Sequence, residues 1–173
     1  MAAIFQGRFT AKTEDPFVVF LIGMRINKLW AVHKWFPMFQ AMTPIISELS
    51  RHPEKGFLGG IFAFTTDGPF TVQYWRSFED LERFARNPAD PHLPSWQRFN
   101  RKAREGGAVG VWHETYLVGA GQYEAVYVNM PRFGLGNVTQ HIPLSTRQGS
   151  ARERLTNGIQ AHPEKQPHLP GKD

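Results

Sequence analysis

Any metal in this chain must rest on His, Asp, Glu or Tyr, because its 173 residues include no cysteine. That absence removes disulfides, thiolate nucleophiles, iron–sulfur clusters, Cys-ligated haem and cysteine zinc sites. Arg25 and Asn27 close a strongly apolar run. An Arg there could stabilise an oxyanion or a bound peroxide, and an Asn could donate a hydrogen bond to an oxygen species; a charged strand end meeting water is the plainer alternative. His33 lies between Trp30 and Trp35, and the imidazole group in general suits acid–base work or iron ligation. A single His in an aromatic cluster is equally a common interface feature. His92 heads a face continued at i+4 and i+7 by Trp96 and Phe99, so a neutral ring nitrogen could bind iron beside an apolar wall for a porphyrin. The alternative is that it caps a helix start or faces solvent. His113 shares a strand face with Val109, Val111 and Thr115, as a satisfied core residue or as a cofactor contact. Glu114, on the other face with Trp112 and Tyr116, needs a partner if buried, and Arg25 or Arg76 could supply it. His52, His162 and His168 lie in polar or Pro-rich stretches and are expected in water.

These groups sit in a chain of one-domain size whose 41% hydrophobic and 13% aromatic content suffices for a core. The longest apolar run, Phe17 to Met24, is too short to span a bilayer, and the N-terminus lacks the pattern of a secretion signal. A cytoplasmic location, with no membrane partner, is therefore expected. Asn137-Val138-Thr139 matches a glycosylation sequon but has no secretory context. The formal charge of +5 comes from Lys and Arg spread along the chain rather than massed in a block, so no nucleic-acid partner is expected. Such basic side chains equally suit an anionic ligand such as haem propionates.

The elements that must position the candidates follow from periodicity and turn residues. Residues 1–15 read as a lead-in arm. Phe17 to Ile22, apolar on both faces, reads as a central strand running towards Asn27. Leu29 to Trp35 predicts a short helical or irregular turn interrupted at Pro37, with a new helix from Thr43-Pro44 to about Ser50. Phe57 to Phe64, containing Gly59-Gly60, and Phe70 to Trp75 predict an antiparallel hairpin around Thr66-Asp67-Gly68-Pro69. In its second strand Phe70, Val72 and Tyr74 share one face while Thr71, Gln73 and Trp75 share the other. Ser77 to Asp80 resembles a capping box and opens a helix through Leu81 and Phe84. A further helix is expected from Pro91 or Pro94 to Arg104, stopped by Gly106-Gly107. Strands at Val109 to Val118 and Tyr123 to Asn129 close the sheet. The order predicts an α+β fold, a ferredoxin-like antiparallel sheet with helices on one face, over residues 16–143. Its other face needs cover, and a second copy is the economical one. Residues 144–173 are expected to be mobile or to wrap around a partner.

Three stretches carry a resemblance: Pro16 to Trp30, Val111-Trp112-His113-Glu114-Thr115-Tyr116, and Asn129-Met130-Pro131-Arg132-Phe133-Gly134-Leu135-Gly136. They resemble an uncharacterised bacterial family labelled monooxygenase-like, grouped with the dimeric α+β barrel proteins. Those include cofactor-free antibiotic-biosynthesis monooxygenases, haem-degrading monooxygenases, chlorite dismutases and aldoxime dehydratases. The resemblance implies a homodimer and a monooxygenase-like oxidoreductase acting on a small organic molecule. It implies haem b as cofactor, or no cofactor at all, and His92 as the iron ligand in the manner of the haem-degrading members. A haem-dependent lyase of the aldoxime dehydratase kind, a cofactor-free monooxygenase and a non-catalytic binding dimer stand as alternatives, since one barrel hosts many chemistries.

Overall fold

Residues 5–12, expected within a polar arm, form a strand instead: β1 (Phe5–Lys12) is the middle strand of a three-stranded antiparallel sheet. The computed structural model describes residues 2–87, 107–145, 149–162, 164 and 165, and the backbone alone at 38, 39 and 41–44. The chain divides into two compact units, Met1–Val18 with Leu117–Asp173, and Val19–Tyr116.

The second unit carries the predicted βαββαβ order. β2 (Phe17–Ile26) leads to α1 (Val32–Arg51), a 3-10 turn at Pro53–Lys55, the hairpin β3 (Phe57–Phe64) and β4 (Pro69–Trp75), α2 (Phe78–Arg86) and β5 (Val109–Val118). The sheet order β3-β4-β2-β5 places the first strand of the motif inside and the last at an edge, the ferredoxin-like arrangement. The hairpin register runs from Phe64 opposite Pro69 to Gly59 opposite Tyr74, and shifts between Phe57 and Gly59, so β3 bulges just before the paired glycines.

α1 departs from expectation: it runs unbroken for 20 residues through Pro37 and Pro44. Each proline removes one helical N–H and crowds the preceding turn, at a cost of about 3 kcal/mol in a helix interior. Packing opposes that cost, since Ala31 meets the Met24, Ala108 and Val109 cluster, Trp35 packs against it, and Leu49 is fully buried.

β4 sorts its faces as period two requires: Pro69, Thr71, Gln73 and Trp75 are buried, and Phe70, Val72 and Tyr74 only partly so. The buried polar groups satisfy one another, because Trp75 Nε1 donates to Gln73 Oε1 at 3.0 Å and Gln73 Nε2 donates to Thr71 Oγ1 at 3.0 Å. Trp75 meets Phe84 of α2, and the Met24 cluster takes Trp35 of α1, so both helices lie on one face of the sheet. Ser77 caps α2 by accepting from the Asp80 amide. The Asp80 carboxylate, buried, accepts from Arg76 Nε and Arg83 Nη1, each at 2.8 Å. Arg76 is thereby committed to Asp80, so it is not the partner of Glu114.

In the first unit, β1 pairs with β6 (Tyr127–Met130) on one side and β7 (Gln140–Pro143) on the other. The strand expected from Tyr123 thus starts at Tyr127 and joins this sheet. β1 bulges between Phe5 and Arg8, where Gly7 takes a positive φ and its amide donates to Asn129 Oδ1 at 2.8 Å. Asn129 itself has φ +50°, rare for a residue with a side chain. The loop after β6 ends in α3 (Leu135–Val138), where Gly136 lies so close to Tyr127 that a side chain would collide with the ring.

The stretch expected to be mobile or to wrap around a partner contains α4 (Ala151–Ala161), opened by a complete Ser150–Glu153 capping box. Gly158 of α4 meets Gly121 backbone to backbone, at a distance only two glycines permit. Lys165 extends the attachment, its carbonyl accepting from the Ala120 amide and its ammonium reaching Asp15 at 3.0 Å.

Candidate functional site

The helix-free face of the four-stranded sheet collects the side chains best suited to hold a small molecule. Gly23 of β2 is flat, and a β-carbon there would overlap Phe70 and the Trp112 ring. Its bareness lets Phe70 of β4 and Trp112 of β5 close over it, with ring centroids 5.9 Å apart. The result is an aromatic plate of two rings inclined by 37°, with Trp112 still 36% exposed. A flat apolar molecule stacks on such a surface.

Polar groups stand around this plate. Alternation along β2 carries Arg25 to the face of Gly23, and Gly110 of β5 lies beside Arg25 and Asn27, where a β-carbon would make ordinary contact with both. Arg25 pairs with Asp67 at 3.6 Å, both side chains about two-thirds exposed, which leaves the guanidinium reachable. Asn27 donates from Nδ2 to the Gly107 carbonyl at 3.3 Å, and its own amide is held by Ala108, so the strand end is ordered. Farther along β5, Tyr116 donates its hydroxyl to Glu114 Oε2 at 2.5 Å, the contact expected at i and i+2 on one strand face. That hydrogen bond, together with the carboxylate charge, pushes the Tyr116 phenol above its ordinary value. Glu114 therefore takes Tyr116 as partner rather than Arg25 or Arg76, and it needs no buried ion pair because it is exposed.

The other predicted site residues do not converge on this plate. His33 is exposed in the first turn of α1, on the helix-bearing side of the sheet. His113 points to that same side, exposed, with the Phe20 ring 5.8 Å away, so it is not a core histidine. His92, Trp96 and Phe99 lie outside the described residues.

Haem needs one accessible imidazole nitrogen and apolar walls. Among the described residues His113 offers the first, with Phe20 as a fragment of the second. No group of three or more His, Asp or Glu among them is placed to hold a metal ion. His52 is committed to Glu48 and Glu54.

Sequence reasoning missed one histidine altogether. His141 of β7 stacks on Phe9 at 4.6 Å with planes 8° apart, meets Phe5 edge-on, and faces Tyr127. Its two ring nitrogens are buried with no hydrogen-bond partner among the described residues. Desolvation, aided by the Arg132 charge, pushes this imidazole below its ordinary value. Because both nitrogens are shut in, it does not suit an iron. The available signal was its alternation with Gln140 beside an aromatic-rich first strand, which a reading of residues 1–15 as an arm concealed.

The model of the family described as monooxygenase af470-like matches residues 17–135, from the first strand of the four-stranded sheet through the loop after β6. Monooxygenase af470 of Aspergillus fumigatus is 33% identical over 158 residues, covering 79% of this chain. The chain spans 55% of that relative's length. Among solved structures, the aldoxime dehydratase OxdRE in complex with butyraldoxime superposes with a TM-score of 0.60 at 17% identity, over 73% of this chain and 38% of that one. That likeness concerns the fold, and it agrees with the ferredoxin-like sheet. With the family model covering the sheet, the aromatic plate and the polar strand end, the chain belongs to the monooxygenase af470-like family.

Proposed function

We propose that this chain is a monooxygenase-like oxidoreductase that takes a small, flat organic molecule on the helix-free face of its four-stranded sheet. The observation that carries the reading is the Phe70–Trp112 plate over Gly23, with a reachable guanidinium on the same face. The plate would bind the apolar body of the substrate by stacking, and few polar groups would then fix its orientation. Arg25 would stabilise negative charge developing on a substrate oxygen, and Asn27 would donate a hydrogen bond to an oxygen species. Glu114 would hold the Tyr116 proton, keeping that phenol neutral and leaving its oxygen to accept a hydrogen bond from the substrate. A second copy of the chain, facing this half-open apolar surface, would roof the site and exclude water from it.

Haem b, which would be held by His92 with Trp96 and Phe99 beside it, is the cofactor-bearing form of the proposal; His113, on the helix-bearing side, would not reach a haem on the substrate face. When bound, it would supply the iron chemistry of oxygen activation. The cofactor-free form rests on the substrate-binding face alone. A lyase of the aldoxime dehydratase kind would require haem without oxygen turnover.

An absorption spectrum after incubation with haem separates the two forms. A Soret band that is lost in His92→Ala supports the haem form. Oxygen consumption on a phenolic substrate by haem-free protein, lost in Trp112→Ala and Arg25→Gln, supports the other. Protein that binds haem but turns over neither oxygen nor aldoxime, and that consumes no oxygen when haem-free, would overturn the enzymatic reading.

A further inference from the structure

The polar groups on the helix-free face stand at opposite ends of the aromatic plate and differ in sign. β5 sets their order: Gly110 lies beside Arg25, Trp112 closes over Gly23, and Glu114 and Tyr116 follow on the same strand face. At the rise of an extended strand, Gly110 and Glu114 stand about 13 Å apart. Resting on the substrate-binding role proposed above for this face, we infer that the substrate is a planar, fused-ring aromatic carboxylate. It lies along β5 with its carboxylate at Arg25 and a hydroxyl or N–H donor at Glu114 and Tyr116.

Charge fixes the direction of the ligand. Arg25 Nη2 meets Asp67 Oδ1 at 3.6 Å, with both side chains about two-thirds exposed. So long and wet a contact holds the guanidinium loosely, and the planar fork of Arg matches a carboxylate through two parallel hydrogen bonds. The other end is an acceptor. The Tyr116 hydroxyl gives its proton to Glu114 Oε2 at 2.5 Å, which leaves the phenolic oxygen to accept. A ligand anion placed there would face the Glu114 charge, whereas a donor finds an oxygen. Both side chains are exposed, so they meet a ligand without rearrangement. Between the two ends, Phe70 and Trp112 offer apolar surface to a ring system. Length selects the size of that system, because a one-ring acid would engage only one polar end.

Calorimetric titration of the whole chain with three probes tests the inference. The probes are a hydroxynaphthoate with its substituents at opposite ends of the ring pair, the methyl ester of that acid, and the naphthoate lacking the hydroxyl. The hydroxy acid should bind best, and the ester, which loses the charge, about threefold to tenfold more weakly. Added salt should narrow that gap. The naphthoate without the hydroxyl should bind several-fold more weakly than the hydroxy acid. Arg25→Gln should erase the difference between acid and ester. A Glu114→Ala, Tyr116→Phe variant should erase the difference made by the hydroxyl, while Trp112→Ala weakens all three alike. The thermal midpoint monitors folding; if a variant unfolds, the wild-type series decides. The inference alone is overturned if Trp112→Ala weakens binding but the ester binds like the acid, the hydroxyl adds nothing, or the advantage of the acid survives in Arg25→Gln. The binding face itself falls, and the inference with it, if no probe binds or if Trp112→Ala leaves every affinity unchanged.

Discussion

The two sheets handle the buried nitrogens of an aromatic side chain in opposite ways. In the four-stranded sheet, Trp75 is wholly buried, and its indole N–H starts a chain through Gln73 to Thr71. In the three-stranded sheet, His141 is clasped by Phe5, Phe9 and Tyr127, yet both its nitrogens lack partners among the described residues. A buried polar group costs little when its hydrogen bonds are made and about 1–3 kcal/mol when they are not. The first arrangement makes a rigid frame behind the aromatic plate. The second leaves an imidazole that resists taking up a proton.

The largest test of that contrast is Trp75→Ala. It should cost about 3–5 kcal/mol, because it opens a cavity and strands the Gln73 carbonyl. A urea titration measures this as a fall in midpoint; a loss under 1 kcal/mol would deny the chain its structural role. Next is Asp80→Ala, which removes a buried acceptor of two charged hydrogen bonds and the anion near the α2 start. A loss of about 1–3 kcal/mol is expected, moderated because Arg76 and Arg83 are exposed enough to regain water.

His141 should show the smaller, pH-dependent effect. Its folded-state value lies below the ordinary imidazole value, so the unfolded chain takes up the proton first. The favourable contribution is therefore fully present above about pH 6.5 and is lost as pH falls towards the folded-state value. Comparing thermal midpoints at pH 7.5 and pH 5 should show His141→Phe losing less stability on acidification than the wild type. Equal slopes would mean that another group governs the acid response.

Trp112→Ala should have the least effect on folding, below about 1 kcal/mol, since the ring is partly exposed and covers a flat glycine. Under the proposed function it should nevertheless weaken substrate binding by about tenfold, read as a raised KM. An unchanged KM would move the binding surface elsewhere. Gly23→Val sharpens the same point, because it should lift Phe70 and Trp112 apart and so lose both stability and binding.

How much of this was legible beforehand differs between the sheets for a physical reason. Period-two alternation in Phe70 to Trp75 separated the two faces of β4 correctly, because side-chain direction along a strand is a local property. The same rule placed Trp112, Glu114 and Tyr116 together. It left open which face of β4 was buried, and the answer was the one bearing Thr71 and Gln73, whose polarity is cancelled only by mutual hydrogen bonding. The strand β1 within the arm and the helix α4 within the tail went unforeseen for a related reason. Their short polar segments gain order from distant partners, Tyr127, His141 and Gly121, which no local pattern reveals.

By itself, the sequence determined the βαββαβ order, the turns, the alternation within strands and the absence of thiol chemistry, all of which follow from nearest neighbours and composition. Only the tertiary structure decided that Glu114 pairs with Tyr116, that Arg25 remains reachable beside an aromatic plate, and that His141 is enclosed. Those outcomes depend on which strands lie side by side, and strand neighbours are chosen by the whole chain.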